Sequence, residues 1–271
     1  MPELPEVART ALSLNEAIKG KQIKEVKIHS GRYSRHGSPD GFDQFCSELP
    51  VSVENVSFRG KFILLTTSKE NKKWFIWNTL GMSGGWKREK SKHGHVEFHT
   101  GQESFFFTDM RNFGTLKFTD SESLTQRKLL SIGPDHLSTE ISDQEFTSRL
   151  MKRSKQNITK VLMNQNIIGG VGNYIKAEAL YMSAISPHRS VESLTESEFS
   201  LLNKSIKKVV VSSFRSGGNT IKTYSGMDNE KGDFVFSLKV YGRKKCEMGF
   251  DVIRETTPDG RTTHWVPQIQ K

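Results

Sequence analysis

Three glycine turns carry side chains whose types suit a nucleic-acid backbone and a base stack. "RGKF" (59–62), "LGMSGG" (80–85) and "DMRNFG" (109–114) interrupt strand-like sequence and hold Lys61, Met82, Arg111 and Phe113 at or beside the turn. A side chain at a tight strand turn projects instead of packing, which makes Met82 and Phe113 unusual loop residues. Minor-groove proteins use this composition: apolar wedges enter between base steps while cations hold phosphates. Packing at strand ends is the ordinary use of Met82 and Phe113, and solvated surface charge that of Lys61 and Arg111.

A further candidate phosphate site is "IIGGVGNYIKAE" (167–178), where Gly169, Gly170 and Gly172 precede Asn173, a residue able to cap the following helix. Backbone N–H groups at a helix N-terminus can donate to a phosphate oxygen in place of solvent. An ordinary glycine-rich helix connection accounts for the local sequence equally well. No strand leads into this loop, and neither G-x-G-x-x-G nor G-K-[ST] occurs there, so dinucleotide and nucleoside-triphosphate fingerprints are both missing. The basic residues Arg149, Lys152, Arg153, Lys155, Lys160 and Lys176 fall within 147–177, a stretch without a single acid. The chain as a whole has a formal net charge of +10 over 271 residues, a balance that points to a polyanion such as nucleic acid.

These residues need elements to position them. The opening "MPELPEV" sets two prolines and two glutamates, Glu3 and Glu6, at a helix start. Val7, Ala11, Leu14 and Ile18 recur at helical spacing from Glu6, and "KGK" (19–21) ends the pattern. "QIKEVKI", "VENVSFRGKFILLTT", "KWFIWNTLGM", "HVEFHT", "ESFFFTDM" and "TLKFTD" then read as short strands in series, which predicts a β-sandwich closing near "SIGPDHL" (131–137). "SDQEFTSRLMKR", "NITKVLMNQ", "NYIKAEALYMSA" and "TESEFSLLNKSIKKVVVSSFRSGG" read as helices, two of them opening on a capping-box signature. From Phe234 strand-like alternation returns, with "PDG" (258–260) as a hairpin turn. The fold class is therefore α+β, a β domain followed by a helical one.

Cys46 and Cys246 are the only cysteines and lie far apart, so neither a disulfide framework nor a cysteine metal cluster is indicated. No apolar run is long enough to span a bilayer, and the acidic, proline-bearing N-terminus is unlike a secretory signal. An intracellular protein is expected, in cytoplasm, nucleoid or nucleus according to the organism.

The ordered set "MPELPEV", "RGKF", "LGMSG", "TDMRNFG", "IGPDHLS", "GGVGNYIKAEALY", "SPHRS" and "LKVYGRKK" resembles the formamidopyrimidine-DNA glycosylases, the Fpg/Nei family of bifunctional DNA repair enzymes, over the whole chain. "ELPE" is similar to the Fpg branch. The resemblance implies an N-terminal catalytic β-sandwich domain with its N-terminal helix (1–132), a helix-two-turn-helix DNA-binding domain (140–222) and a C-terminal β-hairpin finger (234–271).

It also implies the chemistry. Met1 is lost, and the Pro2 amine attacks C1′ of the damaged nucleoside to form a Schiff base that undergoes β- and δ-elimination. An α-amino group titrates near 8, so a usable fraction is neutral at physiological pH. By the same resemblance Glu3 assists opening of the sugar ring, Lys61 contacts phosphate and aids elimination, and Arg261 reaches the phosphates beside the lesion. Glu6 lies at the base pocket. Met82, Arg111 and Phe113 fill the gap left by the flipped nucleotide, as base flipping requires. His93, Arg111, Arg153, Lys155 and Asn173 contact DNA. The implied partner is double-stranded DNA with oxidised bases or abasic sites, bound by a monomer, with no cofactor and no membrane.

Departures from the family pattern are informative. The family's two C-x-x-C pairs read here as Cys246-Glu247-Met248-Gly249 and Val266-Pro267-Gln268-Ile269, so three of four thiolates are missing. One cysteine makes no tetrahedral zinc site, and His264 is no adequate replacement. The expectation is a zincless finger in which Trp265, Val266 and Ile269 substitute hydrophobic packing for the metal. Thr79 stands where many relatives have histidine, and "ITKVLM" (158–163) replaces the common "IKPxLM". The stretch "TYSGMDNEKGDF" (223–234) matches the length of the loop that closes over an oxidised purine, which favours 8-oxoguanine and formamidopyrimidines. Two alternatives remain: a Nei-like enzyme for oxidised pyrimidines, and a non-enzymatic nucleic-acid-binding protein using the helix-two-turn-helix alone.

Overall fold

The structure, a computed structural model, describes residues 1–217 and 237–271. Helix α1 (Leu4–Ile18) opens it, two residues earlier than the apolar spacing alone predicts. Pro5 stands in its first turn, where the missing N–H has no intrahelical partner to lose.

Nine strands follow: β1 (Gln22–Ile23), β2 (Glu25–Ile28), β3 (Val51–Arg59), β4 (Phe62–Lys69), β5 (Lys72–Thr79), β6 (Gly84–Lys87), β7 (Gly94–His99), β8 (Ser104–Asp109) and β9 (Thr115–Thr119), with short helices α2 (Arg32–His36) and α3 (Phe42–Ser47) between β2 and β3. They form a five-stranded sheet in the order β1-β3-β4-β5-β9 and a four-stranded sheet in the order β2-β7-β8-β6. The alternating burial of β3 and β9 supplies one apolar face per strand, and Val53, Ile63, Leu65, Ile76, Trp86, Phe98, Phe107 and Phe118 join α1's Val7, Ala11 and Leu14 in one core. Trp86 is fully buried, so its indole N–H needs an acceptor and finds Asn78 Oδ1 at 3.0 Å, while Asn78 Nδ2 donates to the Thr115 carbonyl. β6, only four residues long and beginning at two glycines, has no strand signature in the sequence.

The second compact unit begins at Ser131, just inside α4 (Glu122–Ser131), and also takes in Glu3–Pro5. Its helices are α5 (Asp143–Met151), α6 (Ile158–Met163), α7 (Asn173–Met182) and α8 (Glu196–Arg215). Their starts follow from capping: Ser142 Oγ accepts from Glu145 N, Asn157 Oδ1 from Thr159 N, and Thr195 with Glu198 forms a complete capping box. α7 is buried almost all round, the pattern of a central helix. The described tail is irregular until β10 (Ile253–Thr256) and β11 (Thr262–Trp265), which pair antiparallel around the "PDG" turn. No helix among the described residues is long and apolar enough to cross a membrane.

Candidate active site

In the first unit Pro2 lines a cavity of about 190 Å³ with Val7, Lys61, Thr79, Leu80 and Gly81. Lys61 reaches it from the β3–β4 turn, where Gly60 takes a positive φ of 56°. Glu6, in the first turn of α1, is 1 % exposed. Two residues singled out in the sequence, Pro2 and Lys61, thus line one cavity, with Thr79 at its wall.

The turns after β5 and β8 form a common tip. Gly81 has a φ of +58°, and a Cβ there would lie 2.6 Å from Gly114 N and from the Phe113 carbonyl carbon, so only glycine permits this approach. Phe113 is 56 % exposed, an apolar ring presented to solvent, and the Arg111 guanidinium sits 5.2 Å from its centroid. Met82 is half-buried beside them, and His93, also half-buried, lies one residue before β7.

In the second unit the glycine loop is shaped around Glu3. Its Oε1 accepts from Tyr174 N at 3.0 Å and its Oε2 from Ile175 N at 3.2 Å, which caps α7 and places a carboxylate at a helix N-terminus. The expected cap, Asn173, is instead the first helical residue and makes no capping bond; the N-cap position is Gly172, with no side chain to give. A Cβ on Gly172 would lie 2.2 Å from Glu3 Cδ, and one on Gly170 2.5 Å from Leu4 Cβ. These glycines therefore admit the start of the chain. The Asn173 amide donates to the Thr262 carbonyl at 2.8 Å. Arg153 and Lys155 are exposed in the α5–α6 connection, and Arg261 is exposed at the β10–β11 turn. Lys176, completely buried on α7, bonds Asp259 Oδ2 at 2.5 Å.

The family's zinc site does not fit these residues. Val266 is fully buried with Val240, Cys246, Ala177 and Tyr181, and Ile269 and Val252 pack against that cluster. Among the described residues no group of three or more His, Cys, Asp or Glu side chains is placed to hold a metal ion. Trp265 departs from expectation: it lies outside this cluster, edge-on to His188 with ring centroids 5.0 Å apart, and its indole N–H donates to Glu255. That polar N–H needs a partner which the apolar cluster does not offer.

His264 is 5 % exposed, and neither ring nitrogen has a protein partner. Burial, with the charges of Arg254 and Lys176 adding to it, pulls its pKa from 6.5 to about 4. The unfolded chain then binds a proton that the folded chain excludes, so stability falls as pH drops from about 6.5 towards 4. Urea unfolding across this window is expected to show a shallower pH dependence for His264→Phe than for the wild type.

Sequence reasoning passed over Asp109, 2 % exposed between the two tip turns, and the Lys176–Asp259 pair. An aspartate heading a glycine turn is a local signal for the first. The second joins residues 83 apart in sequence and has none.

The sequence profile of the formamidopyrimidine-DNA glycosylase N-terminal domain matches residues 1–116, and that of the corresponding helix-two-turn-helix domain matches residues 132–225. The chain is 31 % identical over 278 residues to the formamidopyrimidine-DNA glycosylase of Legionella pneumophila, covering 100 % of this chain and 98 % of that protein. It is 31 % identical over 280 residues to that of Bacillus cereus, covering 100 % and 99 %. Among solved structures it is similar to Lactococcus lactis enzyme complexed with abasic-site DNA (TM-score 0.87, 26 % identity, 99 % of both chains) and to the Thermus thermophilus protein (TM-score 0.85, 28 % identity, 99 % and 98 %). The two profile matches, the full-length similarity and the shared fold place the chain in the formamidopyrimidine-DNA glycosylase family, as a DNA glycosylase of base excision repair.

Proposed function

We propose that the protein excises oxidised purines, 8-oxoguanine and formamidopyrimidines, from duplex DNA and then incises the abasic site. The observation that carries this reading is the cavity in which Pro2 and Lys61 meet. The Lactococcus lactis relative is known in complex with DNA containing Fapy-dG, which supports the purine class. With Met1 attached the Pro2 nitrogen is a tertiary amide; removal of Met1 leaves a secondary amine that attacks C1′.

The C1′–N bond breaks and the base leaves with a proton. Opening of the sugar ring breaks C1′–O4′, O4′ takes up a proton, and the nitrogen, having lost its own proton, becomes an iminium at C1′. Loss of a C2′ proton to water then breaks C3′–O and expels the 3′-phosphate, and loss of the C4′ proton breaks C5′–O and expels the 5′-phosphate. Glu3, next to Pro2 in sequence, moves the proton to O4′, its carboxylate being held by the Tyr174 and Ile175 N–H groups of α7. Lys61 and Arg261 balance phosphate charge, with His93, Arg111, Arg153, Lys155 and Asn173 along the backbone. Glu6 borders the base. Met82, Arg111 and Phe113 occupy the vacated stack, a role that the exposure of Phe113 supports.

We assign the catalytic domain to 1–132, the helix-two-turn-helix domain to 140–222 and a zincless finger to 234–271, in a monomer working inside the cell. The division of compact units at Ser131 and the apolar packing around Val266 support these assignments. The purine-closing stretch 223–234 lies outside the described residues.

Sodium borohydride reduces the iminium to a stable adduct. Wild-type protein is expected to be trapped on duplexes carrying an abasic site or 8-oxoguanine, and less on thymine glycol. A preference for thymine glycol would reassign the substrate to oxidised pyrimidines. No adduct on any duplex would remove the covalent mechanism.

A further inference from the structure

The exposed tip carrying Met82, Arg111 and Phe113 consists of two separate turns, and one buried side chain bonds both. Asp109 Oδ1 accepts from Ser83 Oγ at 2.6 Å and from Arg111 N at 3.2 Å, while Oδ2 accepts from Gly114 N at 2.6 Å. Ser83 Oγ also accepts from Arg111 N at 3.0 Å, which closes the link between the turns.

The aspartate itself is anchored. Its residue pairs with Gly84 across the β8–β6 ladder, its N–H donates to the His93 carbonyl, and its carbonyl accepts from His95 Nε2 at 2.8 Å and from Asn112 N. Asn112 holds a left-handed conformation at φ 57°, and its Oδ1 accepts from Arg32 N at 3.1 Å. A buried carboxylate is tolerated only when such donors replace water, and N–H donors to an ionised oxygen make short, directional bonds.

We propose that Asp109 is a positioning residue that locks the Met82 turn to the Arg111–Phe113 turn, so that the wedge is rigid before DNA arrives. This rests on the reading of Met82, Arg111 and Phe113 as gap-filling residues. Asp109 holds its own turn through Arg111 N and Gly114 N, and the same Oδ1 that accepts from Arg111 N also accepts from Ser83 Oγ, so the Met82 turn is tied to it at one shared atom. The wedge enters an opened stack without first ordering itself, and preorganisation of this kind is where binding free energy is otherwise lost. Displacing a positioned group by about 1 Å can cost about 10²-fold in rate.

The test compares two substrates. A lesion base in duplex DNA leaves a gap when flipped, whereas an abasic site in single-stranded DNA has no partner strand and no gap. Under single-turnover conditions Asp109→Ala is expected to lower 8-oxoguanine excision from duplex by about 10²-fold, while incision of the single-stranded abasic site stays within about twofold of wild type. Phe113→Ala should likewise lower excision from duplex. Asp109→Asn, which keeps the shape but turns an N–H₂ towards one of the donors, and Ser83→Ala, which breaks only the cross-turn link, provide milder variants should Asp109→Ala fold poorly; both should show the split to a smaller degree. Equal loss on both substrates in all three variants would overturn the proposal in favour of general stabilisation. Unchanged duplex excision in the Asp109 variants alongside a Phe113→Ala defect would overturn it alone. If Phe113→Ala is without effect, the wedge reading fails and the proposal fails with it.

Discussion

Replacing Pro2 with glycine is expected to reduce the borohydride-trapped adduct on abasic-site DNA by about 10²-fold or more, with duplex binding retained. The secondary amine of proline is held by its ring, while a glycine amine rotates about N–Cα and spends little time aligned with C1′; misplacement of about 1 Å is worth this much. A larger loss is expected from a protein with a leader peptide left attached ahead of Pro2. Its nitrogen is then an amide, and loss of a nucleophile can cost on the order of 10⁶ in turnover. Cutting the leader off at Pro2 should restore trapping. An α-amine titrates at about 7.7–8.0, so about a tenth of it is nucleophilic at pH 7 without any further device. Trapping that persists with the leader attached would place the nucleophile elsewhere, and Lys61, which shares the cavity, would be the first group to test.

Breaking the Lys176–Asp259 pair is expected to destabilise the protein by about 3–5 kcal/mol for either Lys176→Ala or Asp259→Ala, because each leaves the opposite charge buried without its partner. The side chains are 0 % and 3 % exposed, so water offers the survivor little compensation. Urea unfolding of both single variants and of the double variant Lys176→Met/Asp259→Leu measures this. The double variant should recover most of the loss, since well-packed apolar residues often replace a buried pair without cost. Burial alone pushes the Asp259 carboxyl upward, but the Lys176 ammonium and the Thr257 hydroxyl bonded to it hold it below its usual value of 3.8. A carboxylate depressed in this way contributes stability that is complete above its unfolded value and is lost as pH falls through its folded one. The pair's contribution should therefore persist at pH 5 and fade below about pH 4.

The parts of this molecule that could be read from the chain are those specified locally. α1 follows from Val7, Ala11, Leu14 and Ile18, and α8 from the capping box at Thr195 and Glu198, because each signal lies within a turn or two of what it controls. The exposed tip was readable because an apolar side chain in a glycine turn is anomalous whatever surrounds it, and Phe113 is indeed exposed. The order of the family motifs implied a set of catalytic residues, yet it gave no account of why the glycine loop is empty of side chains. Asn173 has the right chemistry for a cap, but Glu3, some 170 residues away in sequence, takes the donors first. Long-range partnerships of this kind, like Lys176 with Asp259 or Ser83 with Asp109, leave no periodicity to detect.

The apolar cluster around Val266 bears on when such a protein is needed. Oxidised purines accumulate under the same conditions that carry cysteine thiolates to sulfenic and higher acids. A hairpin organised by four thiolates would lose its ligands under those conditions. Here the hairpin rests on Val240, Val266 and Ile269 with one buried thiol, Cys246. Aliphatic carbon is inert to such oxidants, so the Val240, Val266 and Ile269 contacts under Arg261's hairpin persist where four thiolates would be oxidised.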